Sequence, residues 1–258
     1  MVLMVRTTRS VSLTDVGRRL VETTAPALGQ LQSALNEIGA QPGENVGRLR
    51  LSVPRAAVPF VIDPVLPAFR ERHPRIDVEV AVEDRFVDIV AEGYDAGVRL
   101  TEAIERDMVQ VRLTDPFRFV IVGAPGYLAR HGVPEKPQDL LLHDCITFRS
   151  QTTGALYAWE LERGRKTWRV AVRGGVVVMN DSDLIISLAE QGVGLAYTFE
   201  PMVSRQLRVG KLRCVLEPYS ATVPGYFLYF ANRAQRSTPL RLFIETAKEL
   251  AARRLHGA

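Results

Sequence analysis

The stretch from Gly47 to Phe69, GRLRLSVPRAAVPFVIDPVLPAF, constrains the rest of the chain more than any other. Leu49, Leu51 and Val53 alternate with Arg48, Arg50 and Ser52, the period of a half-buried strand. Pro54 cannot donate to a ladder and ends that strand. Val58, Ile62, Val65, Leu66 and Phe69 then recur at steps of three and four, as one face of a helix does. Pro59 and Pro64 are tolerated only in a first turn, so the helix starts somewhere between Ala57 and Asp63. The loop Pro54, Arg55, Ala56, Ala57 therefore lies at the carboxyl end of a strand and the amino end of a helix. Unpaired N–H groups and the helix dipole favour anions there, and open α/β sheets take ligands at their strand ends. This loop is expected to form one wall of a small-molecule pocket.

The pattern continues. Strands are expected over Ile76 to Val82, Ala96 to Leu100, 109–113, Phe117 to Val122, Cys145 to Phe148, Val176 to Met179 (a buried one), Leu195 to Phe199, Leu212 to Leu216 and Phe227 to Ala231. A hairpin is expected across Arg163, Gly164 and Arg165. Helices are expected over Arg85 to Glu92, Pro125 to His131, Asp183 to Gln191, Pro201 to Gln206 and Thr238 to Leu255. Such alternation predicts parallel-rich α/β sheets, and the order of elements suggests two similar lobes.

The N-terminal part differs. Thr14 is an N-cap with Asp15 in the first turn. Val16, Leu20, Ala27, Leu28, Leu31, Leu35 and Ile38 fall near heptad spacing, which predicts a helix ending at Gly39. Pro26 costs about 3 kcal/mol inside it and predicts a kink or break. The segment Gln41 to Gly47 reads as a linker. Nothing beside this helix in sequence buries its seam, so a second copy is the simplest partner; packing on the chain's own domain is the alternative.

A hydrophobic content of 47% suits a globular protein, and a net charge of +4 is too mild to argue for nucleic acid alone. No window holds eighteen consecutive apolar residues, so no membrane span is expected. The start, MVLMV followed by arginines, has the reverse order of an export signal, which points to the cytoplasm. Cys145 and Cys214 read as two distant buried thiols, with a redox pair as the alternative. His73, His131, His143 and His256 lack metal-ligand spacing. Gly192 and Gly194 follow a helix rather than a strand and do not form a dinucleotide loop. No nucleophile elbow, carboxylate pair or phosphate loop is present, so no catalytic residue, metal or cofactor is expected.

RTTRSVSLTDVGRRLVE (Arg6 to Glu22) resembles the end of the winged helix-turn-helix and the start of the linker helix in LysR-type transcriptional regulators. GRLRLSVP, LPAFRERHPRIDVEV, DAGVRL, PGYLARHG, PQDLLLHDCITF and GVGLAY continue that resemblance over nearly the whole chain. It implies an α/β, two-lobed effector domain like a periplasmic binding protein, preceded by a long dimerisation helix. The division it implies is a wing remnant over 1–12, a linker helix and hinge over 13–46, and an effector-binding domain over 47–258. The implied partners are a small-molecule effector in the cleft, DNA, and further copies in a homodimer or homotetramer. The alternatives are a solute-binding protein of this fold without DNA binding, and a small enzyme on the same scaffold.

The resemblance places Pro54, Arg55, Ala56, Ala57, Arg99, Leu100, Phe148, Arg149, Ser150, Thr198 and Phe199 around the effector. Arg55 stands where the family usually has a small residue; it pairs with an effector carboxylate or phosphate, or it points to solvent. Arg99 lines the cleft or pairs with Asp95 or Glu102. Phe199 lines the pocket or belongs to the core. The arginines hint at an anionic effector. Arg6, Thr7, Thr8 and Arg9 are the expected DNA contacts, and such contacts to phosphate position a protein without giving sequence specificity. The family's groove-reading helices come before RTTRS, so the chain is expected to lack most of that unit, as a truncation, a misassigned start or a genuine loss. In a gel-shift assay with palindromic sites, this exact chain is expected to bind weakly and with strong salt dependence. Nanomolar specific binding would contradict that expectation.

Overall fold

The computed structural model describes residues 2–6, 11–21, 23, 24, 27, 28, 31, 45–101, 104, 107–232, 234 and 237–256. Strands β1 (Met4–Arg6) and β2 (Val11–Leu13) form an antiparallel ribbon. Helix α1 begins at residue 15, and its described residues stay helical as far as Leu31. Thr14 is the N-cap, since its Oγ1 accepts the Gly17 N–H at 3.0 Å. The Thr14 N–H donates to the Leu3 carbonyl at 3.0 Å, tying the ribbon to the helix start. Val16, Leu20, Leu28 and Leu31 all remain exposed along α1. The expected kink at Pro26 and the helix end at Gly39 lie outside the described residues.

Two sheets follow. The first has the order β4-β3-β5-β15-β6, with β3 (Gly47–Val53), β4 (Ile76–Val82), β5 (Ala96–Leu100), β6 (Val109–Arg112) and β15 (Tyr226–Phe230). The second runs β11-β8-β12-β7-β13, from β7 (Phe117–Gly123), β8 (Cys145–Phe148), β11 (Gly174–Val178), β12 (Leu195–Phe199) and β13 (Arg213–Val215), with β14 (Thr222–Val223) also paired to β7. The hairpin β9 (Trp159–Arg163) and β10 (Lys166–Val170) stands apart from both. Each sheet is parallel except for one strand from the crossing chain. β15 runs antiparallel to β5 and β6, and β7 antiparallel to β12 and β13.

The helix after β3 starts in stages. A 3-10 turn over Arg55–Ala57 passes into a π turn over Val58–Ile62, and only then into α2 (Asp63–Arg72). Pro59 and Pro64 each fall in the first turn of their helical piece, which resolves the ambiguity of the sequence. α2 and the last helix, α6 (Thr238–His256), cover the first sheet and bury Leu49, Leu51, Phe69, Ile76, Leu228, Leu240 and Phe243. The second sheet is covered on both faces. Ile121, Cys145, Leu195 and Tyr197 pack beneath α3 (Pro125–His131) and Trp159; Val120, Val122, Ile146 and Ala196 pack against α4 (Ser182–Glu190) and α5 (Glu200–Arg208). Period two thus serves two cores at once.

Two local expectations are corrected. Arg85 to Glu92 is turns, not helix. The Asp88 carboxylate accepts the N–H groups of Val90 and Ala91, and Arg99 takes the carbonyls of Glu83 and Arg85 that a helix would need. The strand near Val176 is an edge strand, with Val177 and Met179 exposed rather than buried. The sheets are parallel-rich as expected, each with one antiparallel strand where the chain passes between lobes.

Those two passages lie side by side. Leu113 N–H donates to the Tyr226 carbonyl at 2.9 Å, and Tyr226 N–H to Thr114 Oγ1 at 2.8 Å. Gly225, at φ 98°, leaves no room for a Cβ, which would stand 2.6 Å from the Asp115 carbonyl oxygen. Gly225→Ala combines a disfavoured φ with a backbone clash, so it is expected to cost about 2 kcal/mol or more. A denaturant melt checks this; an unchanged midpoint would show that the crossing is not tight.

Candidate functional site

The strand directions set up the site. β3, β4 and β5 run parallel, and Tyr226 at the start of β15 lies opposite Leu100 at the end of β5. The carboxyl ends of the first sheet therefore lie level with the chain crossing. In the second sheet β8, β11 and β12 are parallel, and Phe199 at the end of β12 lies opposite Phe119, two residues into β7. The carboxyl ends of both sheets meet across one cleft.

Its floor is aromatic. Phe117 lies 4.9 Å from Phe199, 5.4 Å from Tyr226 and 6.4 Å from Phe60, so rings from both lobes interlock at the crossing. Phe199 is thereby part of the floor and of the core together. Polar contacts between described residues also span the lobes. Arg55 Nη2 lies 3.3 Å from Asp183 Oδ2, and Phe86 N–H donates to Thr152 Oγ1 at 2.9 Å. Side chains of Arg55 and Asp183 are 49% and 69% exposed, so the pair stabilises closure by at most about 1 kcal/mol. Arg55 N–H also donates to Asp84 Oδ1 at 2.9 Å, which fixes the turn that presents it.

The other expected residues divide. Pro54, Ala56 and Ala57 share the Arg55 turn, with Ala57 buried. Leu100 packs against the first core. Phe148 stacks on Tyr157 at 4.6 Å. Arg149 Nη1 donates to the Gly154 carbonyl at 2.7 Å, and Ser150 Oγ accepts the Thr153 N–H at 3.2 Å, so both hold the loop that presents Thr152. Thr198 is 6% exposed, and its hydroxyl faces the Met202 sulfur at 3.9 Å.

Arg99 is 6% exposed and does not pair with Asp95, whose carboxylate accepts the Arg50 N–H at 2.7 Å; Glu102 lies outside the described residues. The Arg99 guanidinium donates to the carbonyls of Val98 at 2.7 Å, Arg85 at 2.9 Å and Glu83 at 3.4 Å, and to Ser52 Oγ at 3.4 Å. Burial holds its pKa below the usual arginine value. Four residues that sequence reasoning passed over, Asp84, Phe86, Thr152 and Asp183, complete the cleft mouth. No local motif marks them, because each acts through a contact with a distant segment.

Cys145 is buried, whereas Cys214 is only half-buried rather than buried as expected. Cys145 and Cys214 face opposite cores and lie three interstrand steps apart, about 14 Å, through Leu195–Ala196 and Val122. A disulfide needs Cα atoms within about 7 Å. Burial pushes Cys145 up to about 12 and Cys214 up to about 11. Gly192, at φ 75°, follows the end of α4, and a Cβ on Gly194 would stand 2.5 Å from the Asp144 carbonyl, so both glycines serve the backbone. Among the described residues no group of three His, Cys, Asp or Glu could hold a metal. No described helix is long and apolar enough to cross a membrane. A separate hollow of about 510 Å³, bordered by Pro125, Arg130, Gln191 and Lys211, lies at the outer end of the second lobe, not in the cleft.

Because Arg99 ties the loop 83–85 to β5 from inside, Arg99→Ala is expected to lower stability by about 3 kcal/mol, leaving buried carbonyls unpaired. Urea denaturation measures it; a loss under 1 kcal/mol would show that water replaces the guanidinium.

Comparison with known proteins agrees with this geometry. Residues 42–252 match the family model described as the LysR substrate binding domain. The chain is 36% identical over 243 residues to the HTH-type transcriptional regulator YcaN of Escherichia coli K12, covering 94% of this chain and 79% of that protein. It is 33% identical to the HTH-type regulator PgrR of the same organism, covering 95% and 82%. Its fold superposes on the full-length Vibrio cholerae virulence activator AphB with a TM-score of 0.72 at 22% identity, over 96% of this chain and 83% of that one. The chain belongs to the LysR-type transcriptional regulators, and its two lobes form their effector-binding domain.

Proposed function

We propose that this chain senses a small-molecule effector, bearing an anionic group, in the cleft between its lobes and passes the signal to transcription through α1. The observation that carries the reading is the meeting of Arg55 and Asp183, from different lobes, above a shared aromatic floor. A guest entering there exchanges a weak surface contact for its own contacts to both lobes, and so shifts the population between open and closed arrangements. The exposed apolar residues of α1 form the seam on which a second copy docks, giving a homodimer or a homotetramer built from such pairs. The ribbon β1–β2 would correspond to the wing. Arg6, Thr7, Thr8 and Arg9 would grip phosphates, and the family's helix-turn-helix would read the base edges. Thr7, Thr8 and Arg9 lie outside the described residues. The proposed role is regulatory, cytoplasmic and without catalysis, in keeping with relatives that are transcriptional regulators.

A thermal-shift screen of small organic acids tests the site. At least one is expected to stabilise the chain, and Arg55→Ala is expected to abolish that stabilisation while leaving the ligand-free melting temperature within about 2 °C. Stabilisation that survives Arg55→Ala would remove the cleft from consideration.

A further inference from the structure

We infer that the guest of this cleft is a small zwitterion of the amino-acid type, its carboxylate on Arg55 and its ammonium on Asp183. The inference rests on the cleft reading above and adds the second charge. The charges at the mouth decide it. Asp183 lies 3.3 Å from Arg55, and Asp84 accepts the Arg55 N–H at 2.9 Å. Asp181 caps α4 by accepting the Leu184 N–H at 3.0 Å, so that helix start already has its own carboxylate. One acid thus meets the Arg55 guanidinium and a second holds the backbone N–H of the same residue.

The nearby cations are otherwise engaged. Arg85 pairs with Glu83 at 2.6 Å and Glu92 at 2.5 Å, Arg149 is held by the Gly154 carbonyl, and Arg99 is buried among carbonyls. A simple anion that reached Arg55 would detach Asp183 and leave it facing a like charge. A molecule with both charges replaces each half of the pair. The pair then acts as a template: an internal acid and base hold the positions that the guest's own groups take over.

The test measures binding of L-amino acids, and of the corresponding carboxylic acids and amines lacking one of the two groups, by thermal shift and then calorimetry. At least one amino acid is expected to bind, with its amine-free counterpart weaker by about tenfold or more. Asp183→Asn, at an exposed position, is expected to preserve folding and erase that preference. A carboxylic acid that binds as well as its amino acid overturns the zwitterion; if Arg55→Ala still abolishes its binding, the cleft reading stands. Failure of every amino acid to bind also overturns the zwitterion, whatever the organic acids do. Amino-acid binding indifferent to both Arg55→Ala and Asp183→Asn places the ligand elsewhere and overturns both.

Discussion

The chain crosses from one lobe to the other and must come back, and the rest of the architecture depends on that return. β15, which arrives after the whole second lobe, takes its place inside the first sheet between β5 and β6. The first sheet is incomplete until residues 226–230 are in position, so the first lobe is not an independent bead on a string. The two passages bond to each other through Leu113, Thr114 and Tyr226, and Gly225 lets them touch. A paired, narrow crossing with rings stacked over it is suited to serve as the hinge of the proposed closure.

Around that hinge the contacts are graded in strength. Half-buried phenylalanines and the buried Tyr226 join the lobes at the floor. The mouth has one exposed ion pair and one hydrogen bond to a threonine. Strong contacts at the mouth would lock the cleft, and none at all would leave it open. Contacts worth about 1 kcal/mol would leave both of the proposed arrangements accessible, as the proposed ligand response requires. Arg99 works from inside, holding the loop that carries Asp84 and Phe86 against β5 so that the mouth is presented in one geometry.

Much of the fold was legible because it is written in local pattern. Alternation marked β3, and the prolines bracketed the start of α2. Misreadings occurred where distant groups took over local hydrogen bonds. The segment 85–92 has helical spacing, yet Arg99 claims two of the carbonyls at its entry. The edge position of β11 follows from strand order, which no local pattern encodes.

The sequence by itself determined the element order, the family and the Arg55 turn at a strand end, because period, proline position and motif are properties of neighbours along the chain. Only the tertiary structure decided that Arg99 is an internal tie and that Asp183 is the partner of Arg55. Those two residues stand 128 positions apart, and their meeting depends on how two sheets are set about a hinge. Charge in the sequence says that an arginine exists; which carbonyl or carboxylate it reaches is set by packing.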